Sequence, residues 1–126
     1  MIDKVAIIGF GSIGKKHFEI FKKYKLAKKI FIISSQDLKF NEKNIFLTSI
    51  REIKKINPDY FVISSETAKH LKFIKFIENN FKNKCVLVEK PLSNDLPNFK
   101  IKKNLIYVGY NLRFHPVIQY VSNLIK

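Results

Sequence analysis

The chain has 126 residues, of which 46% are hydrophobic and 27% are charged. This composition is typical of one globular domain and excludes a largely disordered chain. No stretch approaches the length of a transmembrane helix, and no signal-peptide pattern precedes the first glycines. The single cysteine, Cys85, cannot form an intramolecular disulfide, so we expect a small buried thiol in a reduced, cytoplasmic protein with no membrane partner.

The net charge of +14 raises the question of a nucleic-acid partner. The lysines are scattered through nearly every segment and fall mostly on the polar sides of predicted helices rather than on one basic face. We interpret the charge as a solvated surface that attracts polyanions nonspecifically. A specific nucleic-acid-binding protein is kept as a minor alternative. No metal-ligand spacing and no nucleophile–base arrangement appears in the sequence.

Six short apolar runs predict β-strands along the chain. Each run is apolar almost throughout, as expected of strands in a parallel sheet whose two faces are covered by helices. In chain order the runs are Val5–Ile8, Ile30–Ile33, Ile45–Leu47, Tyr60–Ile63, Val86–Val88 and Leu105–Val108.

Helical periodicity fills most of the intervals between these strands. A stripe after the first strand predicts a helix and makes His17 a buried core residue. Ser49 and Glu52 form a capping-box pattern before a helix that Pro58 ends, and Thr67 is placed to cap the next helix. The first stripe comprises Ile13, His17, Ile20 and Tyr24, widened by Phe18 and Phe21, and the buried face of the third helix comprises Leu71, Phe73, Ile74, Phe76 and Ile77.

The regular alternation weakens towards the end of the chain. Pro97 interrupts residues 93–104, so we expect a loop there with at most a turn or two of helix. Residues 116–126 predict a final helix with Pro116 in its first turn. The whole pattern predicts an α/β fold: a Rossmann-type, doubly wound parallel sheet with helices on both faces, in a single domain over residues 1–126.

The stretch VAIIGFGSIGKKH places three glycines with the spacing G-x-G-x-x-G between a strand and a helix. In a dinucleotide-binding loop Gly9 permits the tight turn, Gly11 lets the backbone approach a pyrophosphate, and Gly14 lets the helix pack against the strand. The phosphates would meet free N–H groups around Ser12 and Ile13, where the helix dipole favours negative charge. A plain turn would not need all three glycines, so we interpret this loop as a cofactor site.

The second strand ends without the acidic residue that usually binds the ribose hydroxyls of NAD. Ser34 lies at the expected position, Ser35 follows it, and Asp37 comes three residues late. Without a carboxylate at the strand end nothing there repels a 2′-phosphate, and the two hydroxyls can donate hydrogen bonds to one. No arginine follows to clamp that phosphate. The predicted cofactor is therefore NAD(P), with NADP slightly favoured.

Further polar residues follow strand ends, where ligands bind in open parallel sheets. Glu89 and Lys90 come directly after the fifth strand, and a lysine amine there can polarise a carbonyl or transfer a proton. Taken alone, Lys90 is more typical of a surface lysine before a proline than of a catalyst, and His70 more typical of a histidine at a helix end. The stretch VGYNLRFHP gathers Arg113 with other polar and aromatic side chains after the sixth strand.

Four motifs in this order resemble the nucleotide-binding domain of the Gfo/Idh/MocA oxidoreductases, the glucose–fructose oxidoreductase and inositol dehydrogenase family. They are GFGSIGKKH, SSETAKH, VLVEKPLS and VGYNLRFHP, and the resemblance covers nearly the whole chain. The strand followed by Glu-Lys-Pro is the most specific element. The resemblance implies hydride transfer between a nicotinamide cofactor and a hydroxyl or carbonyl carbon of a sugar or sugar-like substrate.

The resemblance also implies roles for individual residues. Lys90 is expected to be catalytic, because the lysine of Glu-Lys-Pro in this family lies beside the nicotinamide and helps to activate the substrate. Ser64, Ser65 and His70 are expected along the ribose and nicotinamide side of the cofactor, and Arg113 in a loop that borders the active site. The expected cofactor-binding residues are Gly9, Gly11, Ser12, Ile13, Gly14, Ser34, Ser35, Ser64, Ser65, His70, Glu89, Lys90 and Arg113.

Members of this family continue into a second α/β domain, which supplies most substrate contacts and an Asp/His pair for proton transfer. This chain ends where that domain would begin, so we expect it to bind cofactor with little or no turnover by itself. The crossover helix between residues 91 and 105 is expected to be reduced or missing. An apolar surface left exposed where the second domain docks would favour self-association. A stand-alone module that senses NAD(P) or another nucleotide is the main alternative function.

Overall fold

Six parallel strands form one sheet in the computed structural model, which describes residues 1–125. Every predicted strand is present, so the α/β prediction is confirmed. The strands are β1 (Ile2–Ile8), β2 (Ala27–Ile33), β3 (Ile45–Leu47), β4 (Tyr60–Ile63), β5 (Cys85–Val88) and β6 (Leu105–Val108). The helices are α1 (Ser12–Lys23), α2 (Ile53–Ile56), α3 (Thr67–Asn80) and α4 (Pro116–Leu124), and a 3₁₀ turn spans Asn111–Phe114.

The strand order is β3-β2-β1-β4-β5-β6, which is the Rossmann order. The chain winds outwards from β1 to β3, then returns to the middle and winds outwards again from β4 to β6. All carboxyl ends therefore lie at one edge of the sheet. The order reverses between β1 and β4, and the loops after these two strands diverge to opposite faces, which leaves a crevice between them.

Two hydrophobic clusters cover the two faces of the sheet, because successive side chains of a strand point to opposite sides. In β1, Val5 and Ile7 belong to the cluster under α1, whereas Ala6 and Ile8 belong to the cluster under α3. All four are at most 1% exposed. This burial on both faces explains the continuous apolar runs from which the strands were predicted.

The buried face of α1 differs from the predicted one. Gly14, Phe18 and Phe21 are buried, whereas Ile13 and Ile20 are 41% and 46% exposed. Gly14 fixes the rotation of the helix, since it packs directly against the carbonyl of the glycine loop. The residues four and seven positions further on then face the sheet. The prediction that His17 is a core residue is therefore wrong: it lies on the flank of α1.

The helix starts also differ in detail from the predictions. The capping box forms, since the Glu52 amide donates to Ser49 Oγ at 3.2 Å and the Ser49 amide donates to Glu52 Oε2 at 3.1 Å. The α2 helix that follows is a single turn. The prediction that Thr67 caps α3 is wrong, because Thr67 is the first helical residue and Glu66 occupies the cap position without a side-chain hydrogen bond.

The connection from β5 to β6 contains no helix within the described residues, so the expected loss of a crossover helix is confirmed. Instead, a buried carboxylate on α3 binds the last residues of this connection. Glu78 accepts hydrogen bonds from the amides of Lys102 (2.7 Å) and Lys103 (2.6 Å) and from Asn104 Nδ2 (2.9 Å). Burial alone would raise the pKa of Glu78, but these hydrogen bonds outweigh it and hold the pKa below its ordinary value.

Candidate functional site

A cleft of about 470 Å³ opens at the carboxyl edge of the sheet, between the loops that follow β1, β2 and β4. It lies where the strand order reverses, and its volume is in the range of small-molecule sites. Its lining residues are Ile8, Gly9, Phe10, Gly11, Ser12, Ile13, Ile33, Ser34, Ser35, Gln36, Ser64, Ser65, Glu66, Lys69 and Phe73.

Two of the three glycines in the first loop are required by the packing of the protein itself. Gly9 has φ of +95°, and a Cβ there would lie 2.5 Å from the Ser65 backbone nitrogen. A Cβ on Gly14 would overlap the carbonyl oxygen of Gly9 and lie 2.9 Å from Ser64 Oγ. These contacts bring the loop after β1, the loop after β4 and the start of α1 together at the floor of the cleft.

Gly11 is different, because no protein atom restricts it. A Cβ on Gly11 would meet nothing within 4 Å, so the methyl group would project into open space. Gly11 is also the N-cap of α1, and its carbonyl accepts the first helical hydrogen bond, from the Lys15 amide at 3.0 Å. The N–H groups of the first turn have no acceptor within the helix. Open space, unpaired donors and the positive end of the helix dipole together fit a phosphate group.

The loop after β4 closes the other wall of the cleft. Ser64 Oγ donates a hydrogen bond to the carbonyl of Gly9 at 2.9 Å, which ties the two loops together. The Ser65 hydroxyl oxygen is buried and has no hydrogen-bond partner among the described residues. Since buried hydroxyls in proteins are normally paired, an unpaired one at the wall of a cleft fits a site that receives a polar ligand.

The loop after β2 supplies hydroxyl groups and no charge. Ser34 Oγ accepts a hydrogen bond from the Gln36 amide at 3.0 Å, and Ser35 is exposed beside it. Both serines line the cleft, as does Gln36, whereas Asp37 does not. The late acid noted in the sequence is thus outside the lining of the cleft.

Two charged residues of the cleft were missed from the sequence. Glu66 and Lys69 lie at the start of α3, and their side chains form an ion pair with Lys69 Nζ 2.6 Å from Glu66 Oε2. The hydrogen bond and the charge of Lys69 hold the pKa of Glu66 below its usual range. Ser64 directly follows a strand, and Glu66 lies two residues further on. This position close to a strand end is the sequence feature that could have indicated Glu66 as a site residue.

Glu89 and Lys90 lie after β5, outside the lining of the cleft. His17 Nε2 donates a hydrogen bond to Glu89 Oε1 at 2.6 Å, and this pair joins the flank of α1 to the end of β5. The Glu89 carboxylate also lies close to Gly109, where a Cβ would be 3.4 Å from both of its oxygens. Lys90 is exposed and its peptide bond to Pro91 is cis.

His70 is buried and does not line the cleft. It is 1% exposed, and its Nε2 lies 2.9 Å from the Ser65 carbonyl oxygen. Its Nδ1 lies 3.1 Å from the carbonyl oxygen of Pro91 and 3.2 Å from that of Leu92. The imidazole therefore joins the wall of the cleft to the segment that follows Lys90, and it is more deeply buried than the helix-end position suggested.

Arg113 is also outside the lining of the cleft. It lies in the exposed 3₁₀ turn, where its guanidinium carbon is 5.5 Å from the centre of the Phe114 ring. The structure thus brings together eight of the predicted cofactor residues in the cleft, and Gly14, His70, Glu89, Lys90 and Arg113 are not part of its lining.

The strand order and the cleft at the point where it reverses define a Rossmann-type domain. A family model described as an oxidoreductase family with an NAD-binding Rossmann fold matches residues 4–105. The chain belongs to this family, Gfo/Idh/MocA, so the resemblance noted in the sequence is confirmed. No curated protein matches the chain significantly in sequence.

Solved structures with the same fold include three dehydrogenases. A dehydrogenase (MviM) from Clostridium difficile is 27% identical with a TM-score of 0.75, over 96% of this chain and 43% of that one. Scyllo-inositol dehydrogenase from Lactobacillus casei, solved with NAD(H) and scyllo-inositol, is 23% identical with a TM-score of 0.75, over 99% and 41%. The WlbA dehydrogenase from Thermus thermophilus, solved with NAD and UDP-GlcNAcA, is 19% identical with a TM-score of 0.73, over 96% and 46%. The chain thus spans less than half of each neighbour's length.

Two features are absent from residues 1–125. No helix is both long and apolar enough to cross a membrane. No group of three or more histidine, cysteine, aspartate or glutamate side chains is arranged to hold a metal ion.

Proposed function

We propose that the cleft binds NAD(P)(H), with the pyrophosphate against Gly11 and the first turn of α1 and the adenine ribose beside Ser34 and Ser35. The observation that carries the proposal is the open space at Gly11, because the other two glycines are explained by packing alone. NADP(H) is slightly favoured over NAD(H), since the hydroxyls after β2 suit a 2′-phosphate and no carboxylate there lines the cleft to repel it.

The proposed reaction is hydride transfer between the nicotinamide and a carbon of a sugar or sugar-like substrate. Family membership supports an oxidoreductase, and the two neighbours solved with an inositol and a sugar nucleotide support the substrate class. The cofactor supplies or accepts the hydride. The protein's part is to hold the dinucleotide at the switch point and to present a proton donor or acceptor beside the reacting carbon.

Lys90 is proposed for that proton transfer. It follows β5, at the same edge of the sheet as the cleft, and its side chain is exposed. The chain on both sides of Lys90 is held by contacts. His17 binds Glu89 on one side, and His70 contacts the carbonyl of Pro91 on the other. Because the chain spans less than half of its neighbours, we expect cofactor binding with little or no turnover from these 126 residues alone.

A parallel titration with NADH and NADPH, followed by cofactor fluorescence at moderate salt, tests the proposal. Saturable binding of at least one cofactor is expected, with NADPH the tighter. A Gly11→Ala variant is the matched comparison, because its methyl group enters the open space with no protein atom within 4 Å. Equal binding by this variant, or no binding of either cofactor to the unaltered chain, would contradict the proposal. Rapid sugar oxidation by the chain would contradict the expected lack of turnover.

A further inference from the structure

The cleft contains one positive side chain. Glu66 and Lys69 are the only charged residues among those that line it, and both come from the start of α3 rather than from the loop after β2. We propose that Lys69 recognises the 2′-phosphate of NADP(H) and so determines cofactor preference. This inference rests on the proposed function, because it assigns a role within the same cleft.

A 2′-phosphate beside the end of β2 needs a cation as well as hydroxyl donors. Ser34 and Ser35 can each donate one hydrogen bond, but neither can compensate the charge of the phosphate. Charge-assisted hydrogen bonds are about twice as strong as neutral ones. Since no lysine or arginine after β2 lines the cleft, Lys69 is the lining residue that can supply such a bond.

The ion pair with Glu66 is weak enough for Lys69 to exchange the carboxylate for a phosphate. The side chains of Lys69 and Glu66 are 57% and 71% exposed, so their interaction is screened by solvent and contributes little to stability. A phosphate carries more charge than the single carboxylate and competes well for the same ammonium group. We therefore expect Lys69 to leave Glu66 when the phosphate binds.

Glu66 opposes the same ligand. Its carboxylate lines the cleft and, once Lys69 has moved, repels the phosphate. A Glu66→Gln variant should therefore bind the 2′-phosphorylated cofactor more tightly than the unaltered chain, while a Lys69→Met variant should bind it more weakly. Opposite effects of two neighbouring substitutions are not expected from a general loss of structure.

Lys72 provides a matched control. It lies three residues further along α3, is exposed, and does not line the cleft. Lys72→Met removes the same charge from the same helix and lowers the overall net charge equally. Any effect of general electrostatic attraction should therefore appear in both lysine variants, whereas specific recognition should appear only in Lys69→Met.

The test uses ADP-ribose and its 2′-phosphorylated form, which carry the groups in question and omit the nicotinamide. Isothermal titration should show that Lys69→Met weakens the phosphorylated ligand about tenfold and ADP-ribose less than twofold, with Lys69→Arg largely restoring affinity. An equal loss for both ligands, or no loss in Lys69→Met, overturns the inference alone. If the unaltered chain binds neither ligand, the proposed function fails and this inference fails with it.

Discussion

At the scale of single residues, two glycines of the same loop have different expected roles: Gly14 is needed for packing, and Gly11 for cofactor binding. Gly11→Ala places a methyl group in open space, and we expect the free energy of unfolding to fall by no more than about 1 kcal/mol, the usual cost of alanine at an N-cap. Gly14→Ala forces a methyl group against the Gly9 carbonyl and should cost at least about 2 kcal/mol. Urea unfolding of the two variants measures both values.

The same pair of variants should separate in cofactor binding. Gly11→Ala is expected to weaken NADPH at least about tenfold despite its near-normal stability, because the backbone can no longer approach the pyrophosphate. If instead Gly11→Ala were strongly destabilised and Gly14→Ala were not, the assignment of the two glycines would be reversed.

His70 is expected to be a major stabilising residue. Its removal takes away the imidazole N–H, which can donate either to the Ser65 carbonyl or to those of Pro91 and Leu92, and opens a cavity. His70→Ala should therefore lower the free energy of unfolding by about 2–4 kcal/mol. His17→Ala is the comparison, since solvent can reach the partly exposed Glu89 and the loss should be under about 1 kcal/mol. Equal losses for the two histidines would contradict the described burial.

Much of the site at this scale could be predicted from the sequence, because glycine spacing and strand ends are local features. Ser34 was identified by counting from the glycines. Lys69 was not identified, because it reaches the cleft from a helix much later in the chain. In a lysine-rich sequence, no feature of the pattern distinguishes it from the other lysines. The pairing of His17 with Glu89 depends on the rotation of α1, which the apolar pattern alone did not give correctly.

At the scale of elements, Glu78 makes the connection from β5 to β6 sensitive to acid. Its folded-state pKa lies below the ordinary value of 4.5, so its stabilising effect is present above pH 4.5 and is lost as the pH falls through the folded-state pKa. Glu78→Gln should be about 1–3 kcal/mol less stable at pH 7, because one acceptor oxygen becomes an NH2 group, which then faces either the donor Asn104 Nδ2 or the amides of Lys102 and Lys103.

Chemical unfolding between pH 7 and pH 3 measures this effect. The difference between Glu78→Gln and the unaltered chain should shrink as the pH falls below 4.5, since the carboxylate becomes protonated. Glu19→Gln, an exposed change on α1, should differ by less than about 0.5 kcal/mol throughout. A difference for Glu78→Gln that stays constant down to pH 3 would contradict the account.

The elements themselves were largely predictable, because strands buried on both faces are apolar throughout. The missing crossover helix was also predictable from Pro97 and the short interval. Two details depended on tertiary contacts: the face of α1, which the contact of Gly14 with Gly9 decides, and the first residue of α3, where Thr67 makes no cap.

At the scale of the whole molecule, the last elements contribute little to the core. Phe114 is 70% exposed and Leu124 is 66% exposed, so Phe114→Ser and Leu124→Gln should each change the free energy of unfolding by less than about 0.5 kcal/mol. Ile77→Ala, at a fully buried position, should cost about 2–5 kcal/mol. Thermal and urea unfolding measure the stability of these three variants. A large loss of stability in Phe114→Ser would contradict the account, because it would show that the segment packs on the sheet. Self-association through the apolar side chains that are exposed in these last elements stays a prediction.

The central claim is that the cleft at the switch point binds a dinucleotide, and amide chemical-shift mapping on addition of NADPH tests it most directly. The account predicts saturable shifts concentrated at Gly11, Ser12 and Ile13 and at Ser34 and Ser35, all of which line the cleft. With a net charge of +14, the chain could also attract the anion anywhere on its surface. Shifts spread over the exposed lysines and abolished by salt, with the glycine loop unaffected, would contradict the account.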